Sequence, residues 1–358
     1  MIKIAILGGG NIGTLLSAEL SDKADVTVYS SHFDKWAERI EIYNSRDELL
    51  GVGKKIKVTN NLKQCIEGAK YIFLAIPAFL FVKIAKQLEN LVEVNQIICV
   101  IPGCGAEYAF KKLIDKGVGF IGFQRVHCIA RIKEYGSSVY ALGRKQRIEL
   151  ASIPSTLAEC LRDEIAQLFS MPCINLANYL CLTLTPSNPI LHTSRLYSLF
   201  QNYKDGVKYS AIPLFYEEWD KSASYYLLKM DKELQSLCDV IPLDLHEVVS
   251  LKIYYESETE DKMTEKIRSI VAFKGIQTPM KQCADGEYVP DFSSRYFTAD
   301  FDYGLKIICD IANLFEVKAE CMHFVYNWYR KVTGDDRDAF ELPNNKNEFL
   351  QLYGVTKY

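Results

Sequence analysis

Histidine is the usual proton donor near neutral pH, and hydride reduction of a C=O or C=N group needs such a donor beside the heteroatom. The chain carries five histidines. His32 lies in a polar loop, His246 and His323 in helical runs, and His127 in a late strand or loop of the first half, which makes it a weaker candidate. His192 stands apart. It occurs in TPSNPILHTSRLYSLF, where Asn188 and Pro189 interrupt regular helix just before it, at the junction of two domains where a cleft would form. A junction histidine is structural at least as often as catalytic, and the residues around it leave both readings open.

A partner for such a proton donor is legible at the start of the chain. MIKIAILGGGNIG joins a short apolar strand to Gly8, Gly10 and Gly13 and then to the helix-like TLLSAEL. The first glycine permits the tight turn, the second lets the backbone approach a pyrophosphate, and the third allows close helix–strand contact. Gly8, Gly10, Asn11, Ile12 and Gly13 are therefore the expected dinucleotide loop, with the helix N-terminus aimed at the phosphates. In such folds an acidic residue closing the second strand bonds the ribose 2′-OH of NAD. Here VTVYSSHFDKW puts Ser30 and Ser31 at that place, with His32 and Lys35 nearby, which favours NADP and leaves NAD as the alternative. Ile76 and Pro77 of AIPAF are expected to cover the nucleotide. In VIPGCGAEYAF, Gly103 and Gly105 are expected to open a helix and leave N–H donors free for an anion.

The elements that must position these groups follow from periodicity. ADVTVYS, KIKVTNNL, KYIFLAIP and QIICVIPG read as strands alternating with helices, so the first half is a parallel sheet covered on both faces. KIKVTNNL ends in a helix cap at Thr59 or Asn60, one helix spans about Phe79 to Leu91, and AEYAFKKLIDKG forms another. SSVYALG and RIELASIP extend this domain, and a helix near Thr156–Ser170 with the strand CINLA closes it near residue 178. From Tyr179 onward long amphipathic segments dominate and read as an all-helical domain. The expected fold is thus α/β: a Rossmann doubly wound sheet over residues 1–178, then a helical domain over 179–358. The polar tail from Asp335 is expected to pack on the surface.

Composition narrows the class. A length of 358 residues suits two domains, and 49% hydrophobic with 24% charged residues is ordinary for a globular chain. A net charge of −3 gives no footprint for nucleic acid or an anionic membrane. No signal peptide or membrane-length apolar run is seen. The eleven cysteines sit mostly in apolar segments, so free thiols in a reducing cytoplasm are expected. No metal is expected, since no CxxC pair or His/Cys cluster has zinc spacing. The aromatic side chains of the second half, Phe215, Tyr216, Tyr225, Tyr226, Tyr254 and Tyr255 among them, fit core or subunit packing better than a substrate pocket.

The glycine loop, IPAF, VIPGCGAE, SNPILH, FYEEWDKSASYYLLKMDKE and RYFTADFDYGL together resemble the opine dehydrogenase family, the octopine/nopaline dehydrogenase group. The resemblance covers most of the chain. It implies a helical domain related to that of 6-phosphogluconate dehydrogenases and a reaction in which an amino acid and an α-keto acid condense and the imine is reduced to a secondary amine dicarboxylate. It also implies that His192 is the acid/base and Asp300 the carboxylate that fixes its tautomer. Asn188 and Arg295 are the implied substrate contacts, with Arg195, Arg125 and Arg131 as weaker choices for the substrate carboxylates. The family's Cys and Arg after the sixth strand correspond to Cys128 and Arg131. Ala299 and Asp302 depart from the usual Glu and Pro, so Asp302 competes with Asp300 for the imidazole.

Two other enzyme types and one non-enzyme share this plan. A ketopantoate-reductase-like or 2-hydroxyacid reductase commonly draws its acid from a lysine, whereas SNPILH offers histidine. A catalytically inactive NADP(H)-binding sensor would bind cofactor without turnover. A homodimer is compatible with the sequence, and the partners expected are small molecules.

Overall fold

The computed structural model describes residues 1–334 and 340–355. In chain order the strands of the first half are β1 (Ile2–Leu7), β2 (Ala24–Tyr29), β3 (Ile40–Tyr43), β4 (Leu49–Gly53), β5 (Lys57–Thr59) and β6 (Tyr71–Leu74). They continue as β7 (Ile97–Val100), β8 (Gly119–Phe123), β9 (Cys128–Glu134), β10 (Ser138–Arg144), β11 (Ile148–Ile153) and β12 (Cys173–Asn175). Eight of them form one sheet in the order β12-β11-β8-β7-β6-β1-β2-β5. Only the β11–β8 pairing in this sheet is antiparallel. Tyr71–Leu74 and Ile97–Val100 are buried at every position, as strands covered on both faces must be.

β10, read from SSVYALG as extending this domain, does not join that sheet, and neither does β9. They pair with β3 and β4 in a separate four-stranded sheet, β4-β3-β10-β9. Alternation reveals that a strand exists; its partner is set by distant residues, here the parallel register of Val139 on Ile42. Gly53 of β4 lies so close to the helix Asn11–Leu20 that a Cβ would come 2.4 Å from Ala18 Cα. The second sheet therefore packs directly on the helix that follows the glycine loop.

Local boundaries also shift. The cap after β5 is Asn61, whose side chain accepts from Gln64 N, rather than Thr59 or Asn60. The helix after β6 runs Phe81–Leu88, preceded by a 3-10 turn over Ala78–Leu80. AEYAFKKLIDKG breaks at Phe110 into two short helices, Ala106–Ala109 and Lys111–Asp115.

The chain divides into two compact units, one of Met1–Thr183 joined by the C-terminal segment from Leu350, the other Leu184–Phe349. The division falls after Thr183 rather than 178 because the Leu180–Thr183 turn is bonded into the first unit: Thr183 Oγ1 accepts from Gly105 N at 3.0 Å. The tail is not merely a surface segment. Phe349 and Leu350 on the Lys346–Leu352 helix are fully buried, since this stretch carries apolar residues at helical spacing within its polar surroundings.

The second unit is mainly helical. Its longest helix, Lys221–Val240, starts on Asp220, whose carboxylate accepts from Ala223 N, and buries Leu227, Met230, Leu234 and Leu237 on one face. It is not all-helical: β13 (Met280–Gln282) and β14 (Tyr288–Pro290) form an antiparallel pair joined through Asp285-Gly286. Among the described residues no helix is long and apolar enough to cross a membrane.

Candidate functional site

In the first unit the glycine loop leaves β1 with Gly8 at φ +118°, a conformation L side chains rarely adopt. A Cβ there would meet the Ala75 carbonyl at 2.7 Å and Ile76 Cγ2 at 2.8 Å, so Ile76 packs on the turn. At Gly13 a Cβ would stand 1.8 Å from the Gly8 carbonyl oxygen. Gly10 differs, because a Cβ there meets nothing. The Asn11–Leu20 helix begins on Gly10 with no side-chain cap and no acidic residue in its first turn. A tight turn, an open glycine and an uncapped helix N-terminus suit the pyrophosphate of a dinucleotide. Asn11 has another task as well, accepting Ile132 N of β9 on its side-chain oxygen at 2.8 Å.

At the end of β2, Ser30 is buried while Ser31, His32 and Lys35 are exposed. Ser30 Oγ accepts from His32 N and lies 3.1 Å from the Tyr135 hydroxyl. Tyr135 comes from the β9–β10 turn and packs edge-on against Trp36 and His32. No local signal in the sequence points to Tyr135, which arrives through the pairing of the second sheet. Pro77 is exposed at the start of the Ala78–Leu80 turn.

The loop after β7 differs from expectation. Gly103 N donates to Phe123 O and Gly105 N to Thr183 Oγ1, so neither N–H is free for an anion. Gly103 is needed because a Cβ would meet the Tyr179 hydroxyl at 2.6 Å. Glu107 in this loop is fully buried, and burial lifts its carboxyl to about 7. His127 is also in the first unit, buried with Nε2 2.8 Å from Glu19. Arg125 pairs with Glu149, Arg131 is exposed with Nη1 on the Ala130 carbonyl, and Cys128 is buried.

In the second unit the chain turns through Pro186–Ile190 and enters the helix Leu191–Phe200, with His192 N donating to the Asn188 carbonyl at 3.0 Å. Asp300 follows the short Arg295–Thr298 helix and precedes a π-helical turn, Phe301–Leu305, a distortion frequent at functional sites. Gly304 of that turn lets Pro189 approach, since a Cβ would come 3.0 Å from Pro189 Cγ. These elements set His192 Nδ1 2.7 Å from Asp300 Oδ2, each side chain 13% exposed. Asp302 is engaged elsewhere, accepting from the Tyr329 hydroxyl at 2.9 Å. The imidazole pairs with Asp300.

The other ring nitrogen is also occupied: His192 Nε2 lies 2.8 Å from the Tyr216 hydroxyl. Tyr296 and Phe215 pack against the same ring. Tyr216 is buried, and desolvation pushes its phenol far above the ordinary range, so it stays protonated. In sequence it is one aromatic residue among many; only its hydroxyl contact distinguishes it.

Asn188 and Arg295 are exposed. Arg195 is not a substrate contact. It is buried, with Nε on the Phe215 carbonyl, Nη2 on the Glu218 carbonyl and Nη1 on Asp220. Burial lowers its guanidinium to about 10. This fork fixes the backbone on both sides of Tyr216. Of the aromatic residues in this half, Phe215 and Tyr255 join the core whereas Tyr225 and Tyr254 are exposed.

Residues 175–333 match the α-helical domain of NAD/NADP octopine/nopaline dehydrogenases, and residues 3–117 match the N-terminus of NAD-dependent glycerol-3-phosphate dehydrogenase. These matches place residues 175–333 with the helical domain of the octopine/nopaline dehydrogenase group. The chain is 25% identical to tauropine dehydrogenase of Arabella iricolor over 94% of its length and 92% of that protein's. It is 26% identical to octopine dehydrogenase of Mizuhopecten yessoensis over 87% and 85% of the two. A structure of octopine dehydrogenase with NADH and L-arginine superposes with a TM-score of 0.82 at 23% identity, covering 93% of this chain and 90% of that one. Both the Rossmann sheet and the helical second unit therefore share the fold of octopine dehydrogenase.

Proposed function

We propose that this opine dehydrogenase-like protein reductively condenses an amino acid with an α-keto acid, with His192 as the acid/base, Asp300 as its orienting carboxylate and NADPH as the favoured reductant. The observation that carries this reading is the 2.7 Å pair between His192 Nδ1 and Asp300 Oδ2. A carboxylate at Nδ1 holds the hydrogen on that nitrogen and leaves Nε2 to exchange protons with the reacting group. The same carboxylate stabilises the imidazolium before it delivers its proton.

A bound dihydronicotinamide supplies the hydride, and the protein supplies orientation and electrostatics. The unit of Met1–Thr183 holds the dinucleotide, and the unit of Leu184–Phe349 carries the acid/base pair. Gly8, Gly10, Asn11, Ile12 and Gly13 cradle the pyrophosphate, Ser30 and Ser31 meet the adenosine ribose, and Ile76 and Pro77 cover the nucleotide. A carboxylate at the end of β2 would repel a 2′-phosphate, and this chain has serines there with His32 and Lys35 exposed beside them. Asn188 and Arg295 contact the substrate, the guanidinium matching a substrate carboxylate in a bidentate fork. No disulfide joins the cysteines among the described residues, which fits a reducing cytoplasm.

NADPH and NADH oxidation with pools of amino acids plus pyruvate or 2-oxoglutarate tests the reading. Turnover that requires both an amino acid and a keto acid supports it. Turnover with the keto acid alone points instead to a hydroxyacid reductase, and tight cofactor binding without turnover points to a sensor.

A further inference from the structure

We propose that Tyr216 is a catalytic residue whose hydroxyl carries the proton between His192 Nε2 and the reacting substrate. This rests on the acid/base role proposed for His192 and adds the route its proton takes. Both imidazole nitrogens are engaged, Nδ1 by Asp300 at 2.7 Å and Nε2 by the Tyr216 hydroxyl at 2.8 Å. With Nδ1 held by a carboxylate, Nε2 is the exchanging nitrogen, and the atom on it is a phenol oxygen.

Either Tyr216 swings aside or the proton passes through it. The packing argues against a swing. The Tyr216 ring stacks on Phe273 at 4.0 Å between centroids and lies parallel to Trp219 at 6.3 Å, with Phe215 edge-on at 4.8 Å. Trp219 is itself fully buried and fixed by its indole N–H on Ser224 Oγ. The backbone on both sides is held by the Arg195 fork on the Phe215 and Glu218 carbonyls. A ring so enclosed keeps its oxygen on Nε2.

The relay balances. As the imine carbon receives hydride, the Tyr216 O–H gives its hydrogen to the imine nitrogen while the oxygen takes the hydrogen of protonated His192 Nε2. The products are a secondary amine, a neutral imidazole and an unchanged phenol, with Asp300 ionised throughout. The charged and titratable groups near the phenol are His192, Asp300, Tyr255 and Tyr296. Burial and these neighbours keep the phenol protonated, so it works as a neutral conduit rather than as a phenolate base.

Tyr216→Phe removes one oxygen and keeps the stacked ring. In the substrate-pool assay, kcat falls on the order of 100-fold, the usual scale for losing a general acid, while the fluorescence-measured Kd for NADPH stays within about twofold. A proton inventory of kcat in H2O–D2O mixtures is bowed in the wild type, because two hydrogens move together, whereas a ring that served only as packing gives a straight line. A Y216F loss smaller than about tenfold, or a straight inventory, overturns the relay and makes His192 the direct donor. Wild-type protein inactive on every amino acid and keto acid pair removes the relay together with the reaction, a result distinct from an active wild type whose rate ignores Tyr216.

Discussion

Tyr353 donates its phenolic hydrogen to Glu107 Oε1 at 2.9 Å, across 246 positions of chain. The same oxygen accepts the Thr183 hydroxyl at 2.6 Å. Thr183 ends the first passage of the chain through its unit, and Tyr353 follows the return at Leu350. One buried carboxyl thus gathers the departing and returning segments onto the short Ala106–Ala109 helix, while its second oxygen has no hydrogen-bond partner among the described residues.

That environment predicts a pH-dependent stability. Burial raises the folded carboxyl from 4.5 to about 7, so the folded state holds a proton that the unfolded chain releases. The contribution is fully present below about pH 4.5 and is lost as pH rises to about 7, with an upper magnitude of about 3 kcal/mol. Glu107→Gln keeps an acceptor for Tyr353 and removes the titration. Urea melts of the two proteins between pH 5 and 8 should show a steeper fall for the wild type.

The two inner glycines of the nucleotide loop should fail differently. Gly13→Ala forces a Cβ to 1.8 Å from the Gly8 carbonyl, so the turn must open, and NADPH affinity should fall with a loss of Tm. Gly10→Ala meets no protein atom and should leave Tm unchanged while weakening NADPH binding about tenfold or more, because the methyl stands where the backbone should meet the pyrophosphate. Thermal melts and fluorescence titrations separate the two.

Cofactor choice is testable at Ser31, which is exposed where Ser30 is buried against Tyr135. Ser31→Asp places a carboxylate beside a 2′-phosphate. NADPH affinity should fall about tenfold or more while NADH affinity holds or improves. The ratio of kcat/KM for the two cofactors in wild type and variant reads the effect.

How far this could be read from residues depends on the range of the interaction. The glycine loop, β1, β2 and β6 are local patterns, and SNPILH with RYFTADFDYGL names His192 and Asp300 through motif resemblance. Alignment on Tyr303-Gly304-Leu305 favours Asp300 over Asp302, and the tertiary contacts separate them, His192 on the one and Tyr329 on the other. Tyr216 lies within FYEEWDKSASYYLLKMDKE, but that motif names no role for it, and Tyr135 has no local signal; each acquires its role from a residue brought in by tertiary packing. β3 and β4 escape because they are short and half exposed, and β3 finds its second partner, β10, nearly a hundred residues away. The misreading of Arg195 has the same origin: nothing in SNPILHTSR reveals that its guanidinium meets the carbonyls of residues 215 and 218.

Arg195 therefore gives a stability prediction. Arg195→Met leaves the Phe215 and Glu218 carbonyls without their donor and Asp220 without its cationic partner, and should destabilise the second unit by about 3 kcal/mol or more. Arg195→Lys should not restore it, because a single ammonium cannot span a planar fork of acceptors. Chemical denaturation of the three proteins checks both statements.

The most direct test of the account is one comparison, His192→Ala against wild type, for NADPH oxidation on the amino-acid and keto-acid pair that the pool assay identifies. Loss of the imidazole should lower kcat by about 100-fold or more while leaving the Kd for NADPH within about twofold. Turnover that survives the substitution at near wild-type rate would contradict the assignment of proton transfer to this histidine and its aspartate.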